Sequence, residues 1–469
     1  MKKILIANRG EIAIRIARTC NDLGIRTVGI YSEDDSKSLH LSKVDEAYKI
    51  DGKGAAAYLN INEIIAVAKE AKVDAIHPGY GFLSENVKLA SSSKRLNIKF
   101  IGPNEKALKV FGDKTSAKAL ASDLSVPITL GTSAKTSLKQ AENFFKGLKK
   151  NSSILIKAIS GGGGRGMRIV SNLEDLKEAF ERASSEAKAS FDSPDLYVEE
   201  YLKDYRHIEF QILGDGTGNV IHLHERECSI QRRHQKLIEI APSPSLNQDL
   251  KNKMIEASLA FGTKVKYEGL ATIEFLVNIE KGDFRFIECN PRIQVEHTVT
   301  ESITSLDLVK LQIQIASGKT LKQLKLNQDL IKEPKGFAIQ SRINMETIGE
   351  DGNANPAGGI FESFDLPSGP GVRADSYGYS GYETNPLFDS LIAKVITYSS
   401  EDNFKQACKR NYRSLCEFKI KGVPTNIEIL KNVLINKEFL NNKVHTNFFE
   451  NNLKYLLSPH NHSDLSDIT

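Results

Sequence analysis

Apolar positions in the first hundred residues alternate between short continuous runs and helical repeats. Residues 4–7 form an apolar run typical of a buried strand, and apolar residues recur at helical spacing over 11–23, ending at Gly24. Further strands are predicted at 27–31 and 74–77. Strands alternating with helices favour a parallel sheet with crossover helices. We therefore expect an α/β domain at the N-terminus.

The pattern changes after about residue 130. A Lys- and Ser-rich helix is followed by a strand that ends at Lys157, a glycine run at 161–166, another helix and a strand at 196–200. The remainder is richer in strands and hairpins. It closes with an amphipathic helix from about residue 404, which we expect Gly422 and Pro424 to stop.

Length, charge and cysteine use restrict the class of protein. A chain of 469 residues is too long for one compact core, so we expect two or three domains. The net charge of +4 comes with no basic arm or acidic tail, and no apolar stretch approaches a membrane span. Five scattered cysteines without a CxxC pair indicate reduced thiols. The start of the chain also lacks the long apolar core of a secretion signal. These features favour a cytoplasmic protein with neither nucleic acid nor membrane as partner.

The glycine run at 161–166 follows the strand that contains Lys157. Glycines let backbone N–H groups approach anionic oxygens, and a neighbouring lysine adds a charge for phosphate. A flexible surface turn is the alternative. A Walker-type loop is excluded, because the Gly-Lys-Thr at Gly318 has Ile313 where the first glycine should be. The dinucleotide fingerprint is also missing, since only Gly10 follows the first strand.

Two predicted strands, residues 271–277 and 284–290, are joined by a short turn. Pairing that is symmetric about position 281 places Glu274 opposite Glu288 at about 5 Å, where two carboxylates repel unless a divalent cation lies between them. Asn290 falls on the same face. The other face is apolar, with Ile273, Phe275, Val277 and Ile287. The pattern predicts a metal site; solvated acids on an exposed hairpin, or a bulge that changes the register, are the alternatives.

Polar side chains continue at every second position beyond this hairpin, namely Glu288, Asn290, Arg292, Gln294 and Glu296. An extended chain would place all five on one side. Such a row could hold a metal at one end and offer an arginine and a carboxylate base at the other. An amphipathic edge strand is the alternative, which Pro291 would suit.

Residues 231–236 concentrate two arginines, a histidine and a lysine within six positions. No aromatic residue interleaves them, so stacking on single-stranded nucleic acid gains no support. We interpret the segment as a pocket for a small anion beside a phosphate, with a solvated face as the alternative. Arg342 is uninformative from its local pattern.

Taken together, these segments resemble the biotin carboxylase family of the ATP-grasp superfamily across nearly the whole chain. The matching motifs stand in the family's order: IANRGEIAIRI, HPGYGFLSEN, GDKTSAK, KAISGGGGRGM, RHIEFQ, ERECSIQRRHQKLIE, FIECNPRIQVEHTVTE and SRIN. The resemblance implies a fold of mixed α/β and α+β class. Its parts would be an N-terminal Rossmann-like domain (1–112), a mobile ATP-grasp lid (113–203), an ATP-grasp body with the metal and bicarbonate site (204–333), a C-terminal biotin carboxylase domain (334–450) and a polar tail (451–469).

The resemblance also implies roles for individual residues. The residues that would contact ATP are Lys114, Lys157, Gly163, Gly164, Glu199, Glu200, Tyr201, Leu202, His207, Gln231, His234, Glu274 and Leu276. Glu274, Glu288 and Asn290 would hold Mg²⁺ or Mn²⁺. Lys236, Arg292 and Val295 would bind bicarbonate, Glu296 would take its proton, and Arg342 would steady the enolate form of biotin.

The implied reaction is the ATP-dependent carboxylation of carrier-linked biotin by bicarbonate through carboxyphosphate. It would be the first half-reaction of an acetyl-CoA or other acyl-CoA carboxylase, as in fatty acid biosynthesis. Two departures resemble large multifunctional acyl-CoA or pyruvate carboxylases instead: Gln340 replaces a glutamate, and residues 345–349 replace an AEDP segment. No Met-Lys-Met is present, so biotin must arrive on a carrier protein or domain. A carboxyltransferase and a homodimer are further implied partners.

Two other classes of function are compatible with parts of the sequence. Another ATP-grasp ligase acting on bicarbonate without biotin, of the carbamoyl-phosphate type, would share the metal and phosphate residues. A nucleotide-binding scaffold without activity is the third possibility. The joint presence of Lys236, Arg292, Glu296 and Arg342 disfavours the scaffold.

Overall fold

A computed structural model describes residues 1–132, 135–150, 152–159 and 167–460. The N-terminal region is a parallel sheet in the order β3-β2-β1-β4-β5. Its strands are β1 (Lys3–Ile6), β2 (Arg26–Tyr31), β3 (Glu46–Lys49), β4 (Ala75–His77) and β5 (Lys99–Phe100). The helices are α1 (Gly10–Asp22), α2 (Gly54–Ala57), α3 (Ile61–Glu70), α4 (Val87–Arg95) and α5 (Glu105–Gly112). The expected parallel α/β domain is confirmed.

The continuous apolar run of β1 follows from cover on both of its faces. Ile4 and Ile6 pack into one core cluster, whereas Leu5 between them packs into another. Parallel sheets buried on both sides require such strands. The carboxyl ends of β1 and β4 lie side by side and place residues 8–11 and 77–85 at one edge of the sheet.

The N-terminal domain contains a buried histidine that should make stability depend on pH. His40 is fully buried between Ser38 Oγ at 2.8 Å and the Ile30 carbonyl at 3.0 Å. Burial lowers the pKa of His40 to about 4. An unfolded histidine binds its proton near pH 6.5, so the unfolded state holds more protons between about pH 6.5 and 4. Stability is therefore lost as the pH falls through that window.

We expect the free energy of unfolding to fall by about 2 kcal/mol between pH 7 and pH 5 on account of His40 alone. Urea unfolding of the whole chain at both pH values would measure this loss. His40→Gln keeps a donor for the Ile30 carbonyl but does not titrate, so its decline should be shallower by about that amount. Equal declines in the variant and the parent would contradict the assignment.

The next region forms a small antiparallel sheet in the order β7-β6-β8, covered by helices. Helix α6 (Lys114–Asp123) precedes it and packs into a different core through Ala117 and Ala121. The small sheet region contains α7 (Leu138–Gly147), β6 (Ser153–Ala158), β7 (Arg168–Val170), α8 (Leu176–Phe191) and β8 (Leu196–Tyr201). Apolar residues of β6, β8 and α8 form its separate core. The strands predicted to end at Lys157 and to span 196–200 are confirmed, whereas the glycine run lies outside the described residues.

An antiparallel sheet in the order β13-β12-β9-β10-β11-β14-β19-β18 forms the main body of the molecule. Its first part contains β9 (Arg206–Asp215), β10 (Val220–Arg232), β11 (Gln235–Ala241), α9 (Gln248–Lys264), β12 (Glu268–Asn278), β13 (Asp283–Asn290), α10 (His297–Thr304) and α11 (Leu308–Ala316). Strand β14 (Phe337–Asn344) pairs with β11. The boundary expected at 333/334 thus falls within the span of one sheet.

The C-terminal region adds the last two strands of that sheet and a set of helices. Its elements are β15 (Glu346–Ile348), β16 (Ala354–Pro356), β17 (Ser363–Asp365), β18 (Val372–Ser376), β19 (Leu391–Ser399), α12 (Phe404–Glu417), β20 (Lys419–Lys421), α13 (Ile427–Ile435), α14 (Lys437–Leu440), α15 (Phe448–Asn451) and α16 (Leu453–Leu457). The helix predicted from residue 404 is confirmed. The prediction that Gly422 and Pro424 stop this helix is wrong, because α12 ends at Glu417 and strand β20 lies between the helix and Gly422.

The β12–β13 hairpin has the predicted pairing of Glu274 with Glu288, but reaches it through a bulge. Phe275 pairs with Phe286, which leaves Ile287 as an extra residue on β13. Ile287 therefore lines a cavity, and its predicted place on the apolar face is wrong. Phe286 and Cys289 occupy the core there instead. At this point the outer edge of β13 forms a backbone hydrogen bond with an earlier segment of the chain: the Phe286 N–H donates to the Pro127 carbonyl at 2.8 Å.

The extended row predicted over 288–296 is also wrong in its backbone. Strand β13 ends at Asn290, and the Arg292 N–H donates to the Asn290 carbonyl at 2.9 Å. Pro291 has no N–H to continue the ladder. The chain then turns into α10, with Glu296 just before the helix. The five polar side chains nevertheless line one cavity.

Candidate active site

A cavity of about 1260 Å³ lies where the N-terminal sheet edge, the small sheet and the main sheet meet. Every described residue of the predicted site lines it: Lys114, Lys157, Glu199, Glu200, Tyr201, Leu202, His207, Gln231, His234, Lys236, Glu274, Leu276, Glu288, Asn290, Arg292, Val295, Glu296 and Arg342. Gly163 and Gly164 lie outside the described residues. The fold thus brings side chains from a stretch of 229 residues, Lys114 to Arg342, together in one cavity.

A transverse row of charged residues crosses four neighbouring strands beneath this cavity. Arg226 on β10 pairs with Glu209 on β9, Glu209 with Glu274 on β12, and Glu274 with Glu288 on β13. Three carboxylates at adjacent cross-strand positions repel one another strongly. Cations must therefore be part of the folded site.

Arg226 is the cation at the closed end of the row and is fully buried. It binds the Glu209 carboxylate and also donates to Gln294 Oε1 at 3.0 Å. Its other hydrogen bonds go to Gln211, Thr272 and Thr300. A buried guanidinium with this number of acceptors holds Glu209 and Gln294 in fixed positions.

Lys236 on β11 is the central cation. Its Nζ lies 2.6 Å from Glu209 Oε2, 3.0 Å from Glu274 Oε1 and 2.6 Å from Glu296 Oε1. Burial opposes its charge, yet the three carboxylates raise the pKa of Lys236 well above its usual value. The ammonium therefore stays charged and links the strand row to Glu296.

Glu274 is held by neutral donors as well. Asn290 Nδ2 and Gln294 Nε2 each donate to Glu274 Oε1 at 2.8 Å, and His207 Nε2 lies 2.9 Å from Oε2. Burial alone would raise the pKa of this carboxyl, but Lys236 and His207 hold it well below the usual range. Glu274 is therefore ionised and fixed.

Glu288 offers the open carboxylate of the pair. Within the described ranges, no hydrogen bond or ion pair involves its side chain. It faces the cavity from the position across from Glu274. Oxygen donors from Glu274, Glu288 and Asn290 form a hard set that suits Mg²⁺ or Mn²⁺.

Glu296 and Arg342 form the other half of the site. Arg342 Nη2 lies 3.0 Å from Glu296 Oε2 and 2.5 Å from Glu239 Oε1. Burial would raise the pKa of Glu296, but Lys236, Arg342 and Arg226 together hold it below its usual range. The carboxylate therefore enters the reaction ionised.

The unusual Gln340 has a structural role next to this pair. Its Nε2 donates to Glu239 Oε2 at 2.9 Å, and Thr298 donates to its Oε1. A glutamate at position 340 would instead place a second carboxylate against Glu239. Burial raises the pKa of Glu239, and Arg342 opposes that rise.

Arg292 reaches the cavity from the turn after β13. Its Nε donates to Glu85 Oε1 at 2.7 Å and its Nη2 to Asn290 Oδ1 at 3.0 Å. Burial would lower the pKa of Arg292, but Glu85 raises it above the usual value. Glu85 belongs to the HPGYGFLSEN motif, so this loop of the N-terminal domain positions the arginine.

The small sheet contributes a cationic wall. Lys157 Nζ lies 2.5 Å from Glu199 Oε2, and Lys118 of α6 binds the same carboxylate. The Lys118 ammonium lies 5.4 Å from the centroid of the Tyr197 ring and the Lys157 ammonium 6.0 Å from it. Burial lowers the pKa of Lys118 to about 8 and that of Lys157 to about 7, and a polyphosphate bound beside them would favour the charged form of both.

Several residues of the site were missed by the sequence predictions, namely Glu85, Lys118, Glu209, Arg226, Glu239 and Lys394. Glu209 could have been found, because His207, Glu209 and Gln211 alternate along a strand as the 288–296 row does. The remaining residues lie far apart in the chain, and no local spacing signals that they meet.

Across the described ranges, no helix combines the length and the apolar character that a membrane crossing requires.

Comparison with known protein families agrees with this geometry. Residues 113–324 match the carbamoyl-phosphate synthase L chain, ATP binding domain. The biotin carboxylase N-terminal domain matches residues 1–108, and the biotin carboxylase C-terminal domain matches 340–451. The fold and the site thus define an ATP-grasp enzyme.

The chain is similar to biotin carboxylases throughout. It is 46% identical to human mitochondrial pyruvate carboxylase over 96% of this chain and 38% of the relative, and 46% identical to Bacillus subtilis pyruvate carboxylase over 96% and 39%. The chain therefore spans less than half the length of these relatives. A biotin carboxylase domain dimer of Hydrogenobacter thermophilus 2-oxoglutarate carboxylase, bound to MgADP, ADP and bicarbonate, has a TM-score of 0.92 and 41% identity, covering 98% of this chain and 99% of that one. A Campylobacter jejuni biotin carboxylase in complex with β-γ-ATP has a TM-score of 0.90 and 38% identity, covering 96% and 98%.

This chain belongs to the biotin carboxylase family and is an ATP-dependent ligase. The expected family and the mixed α/β fold are confirmed. The expectation of an acetyl-CoA carboxylase in fatty acid biosynthesis gains no support, because the curated relatives named above are pyruvate carboxylases. The carbamoyl-phosphate alternative is not favoured, since biotin carboxylase domains flank the matched ATP-binding domain.

Proposed function

We propose that this chain carboxylates carrier-linked biotin with bicarbonate in an ATP- and Mg²⁺-dependent reaction through carboxyphosphate. The observation that carries the proposal is the placement of Glu296. Its two oxygens contact Lys236 and Arg342, and Lys236 also contacts Glu274 of the carboxylate pair. Lys236 thus contacts both the proposed base, Glu296, and the carboxylate pair that would bind the metal, and it also belongs to the proposed bicarbonate pocket.

The nucleotide would lie between the cationic wall and the carboxylate pair. Lys114 and Lys157 would bind phosphate oxygens, with residues 199–202, His207, Gln231, His234 and Leu276 lining the same space. Glu274, Glu288 and Asn290 would hold Mg²⁺ or Mn²⁺. Bound there, the metal would neutralise charge on the transferring phosphoryl group.

Bicarbonate would bind between Lys236, Arg292 and Val295. Glu296 would accept the bicarbonate proton as that oxygen forms a bond to the γ-phosphorus and ADP leaves. An entering bicarbonate ion competes for Lys236, one of the cations that hold the pKa of Glu296 down. Glu296 therefore becomes more basic when its substrate arrives.

Biotin would approach Arg342, which lies 3.0 Å from Glu296 Oε2. The guanidinium would stabilise the enolate form of the ureido group while phosphate released from carboxyphosphate accepts the ureido proton. Cleavage of the carbon–oxygen bond between the carboxyl and phosphoryl groups of carboxyphosphate would release CO₂ together with that phosphate, and the deprotonated nitrogen would attack the CO₂. Exclusion of water from this cavity during turnover would protect these intermediates.

Turnover measurements on the purified chain test this proposal. We expect ATP cleavage that requires bicarbonate and Mg²⁺, is stimulated by free biotin, and transfers labelled bicarbonate carbon to biotin. Bicarbonate-dependent cleavage without any effect of biotin would favour a carbamoyl-phosphate type of ligase. A complete lack of ATP turnover would favour a nucleotide-binding scaffold.

We further propose that the carboxyl group finally reaches a 2-oxo acid. The pyruvate carboxylases and the 2-oxoglutarate carboxylase among the similar proteins support this choice. Antibody depletion of this protein from extracts of its own cells should remove bicarbonate fixation into a 2-oxo acid. Loss of fixation into acetyl-CoA instead would contradict it.

A biotin carrier and a carboxyltransferase, on this or another chain, are the proposed partners. We also propose a homodimer, because the Hydrogenobacter thermophilus relative is a dimer of biotin carboxylase domains. Light scattering in solution would measure the assembly. The cytoplasmic location expected from the sequence is to be tested by cell fractionation.

A further inference from the structure

A fully buried lysine on β19 contacts the segment that would bind bicarbonate. Lys394 Nζ donates to the Val295 carbonyl at 3.0 Å and lies 3.0 Å from Glu11 Oε2. The side chain does not line the cavity. The ammonium nevertheless binds one backbone carbonyl of the proposed anion pocket in addition to the Glu11 carboxylate.

The preceding carbonyl is anchored as well. Gln294 O accepts a hydrogen bond from His297 Nδ1 at 2.7 Å and from the His297 N–H at 3.3 Å. The two peptide groups that flank Val295 are therefore both fixed at their oxygen atoms, one by Lys394 and the other by His297.

Fixing these oxygens also fixes the direction of two N–H groups. In a trans peptide the N–H points opposite to the C=O of the same plane. The N–H group of Val295 therefore points away from His297 and that of Glu296 away from Lys394, and both Val295 and Glu296 line the cavity. Among the residues that the structure describes, neither N–H donates to another group.

We propose that Lys394 and His297 are positioning residues that turn the Val295 and Glu296 amides into an anion cradle for bicarbonate. The inference rests on the proposed function and deepens it. Two successive N–H groups before the N-terminus of α10 form the kind of concave site that binds small anions. The cradle lies beside the cations of Lys236 and Arg292, which provide charge but not fixed geometry.

The N-terminal domain completes the arrangement. Glu11 is buried in the first turn of α1 and provides the counter-charge that Lys394 needs in the interior. Tyr80, from the loop after β4, donates its hydroxyl to the other Glu11 oxygen. Asp375 Oδ2 lies farther from Lys394, at 4.0 Å. The cradle thus depends on a chain of contacts from Tyr80 through Glu11 and Lys394 to Val295.

Lys394→Met tests the inference because it removes the donor and the charge but keeps most of the side-chain volume. We expect the KM for bicarbonate to rise about tenfold, the loss expected for one hydrogen bond to an anion, and the KM for ATP to stay within about twofold. The double variant Glu11→Gln/Lys394→Met removes both buried charges, so it leaves Glu11 without an unpaired carboxylate. It should likewise raise the KM for bicarbonate and leave the KM for ATP nearly unchanged.

Lys251→Met is the matched control. Lys251 on α9 is a buried lysine with two glutamate partners, Glu225 and Glu333, each at 3.3 Å, and it does not line the cavity. This variant should leave both KM values unchanged. An unchanged bicarbonate KM in the folded double variant would overturn the inference, and so would an equal rise in both KM values. Bicarbonate-dependent turnover of the parent enzyme tests the proposed function separately, so the two failures are distinguishable.

Discussion

Replacing Glu296 by glutamine is expected to lower the kcat of bicarbonate-dependent ATP cleavage by about 10²–10⁴-fold, the usual contribution of a positioned general base. The amide keeps the shape of the side chain but cannot accept the bicarbonate proton. Lys236 retains Glu209 and Glu274 as partners in this variant, and Arg342 retains Glu239. Neither cation is therefore left unpaired, and the fold should persist.

The affinity for ATP distinguishes a variant that lacks only the catalytic base from one whose whole active site is disrupted. We expect Glu296→Gln to bind ATP as tightly as the parent chain in a direct titration, because Glu296 belongs to the bicarbonate half of the cavity. Glu268→Gln is the matched control, since Glu268 lies at the far end of β12 in an ion pair with Lys99. Turnover of Glu296→Gln near the parent value would remove Glu296 from the mechanism.

Replacing Glu288 by glutamine should raise the Mg²⁺ concentration needed for half-maximal turnover by about 10- to 100-fold. Glu288 is the open carboxylate across from Glu274, and an amide oxygen is a weaker ligand for a hard cation. The expected loss is in metal affinity, so saturating Mg²⁺ should restore part of the rate.

A Mg²⁺ titration of ATP cleavage measures this effect. Glu280→Gln, an exposed position in the turn of the same hairpin, should titrate like the parent. If Glu288→Gln showed an unchanged Mg²⁺ midpoint, the carboxylate pair would have to serve some purpose other than metal binding.

Much of the fold could be predicted from local patterns. The strand at 4–7 can be predicted because a strand buried on both faces has no polar positions to interrupt it, and the strands at 27–31 and 74–77 keep apolar centres beside Thr27, Asp74 and His77. The pairing of Glu274 with Glu288 also followed from the sequence, but a simple turn would have paired Glu274 with Ile287. The bulge restores the predicted pair, and beside it the Phe286 N–H donates to the Pro127 carbonyl, a contact that no local pattern shows.

Site residues that stand in a recognisable motif could be predicted from the sequence, whereas residues outside such motifs could not. Lys236, Arg292 and Glu296 stand in long motifs, and the structure brings them together. Glu85, Arg226 and Lys394 act through contacts that join residues far apart in sequence. A buried lysine on a strand has no signature of its own, because its partners come from the tertiary fold.

The sheet that runs from β13 to β18 determines how the protein can be dissected. The contact between its strands from before and after residue 333 joins β11 to β14, with Ile238 opposite Ser341 and Ala241 opposite Ala338. Expressing the two sides of residue 333 as separate fragments would strip hydrogen-bond partners from both strands and leave two long apolar edges, which are templates for aggregation. Split-protein designs and limited truncations should therefore keep this sheet whole, and fusion partners belong at the ends of the chain.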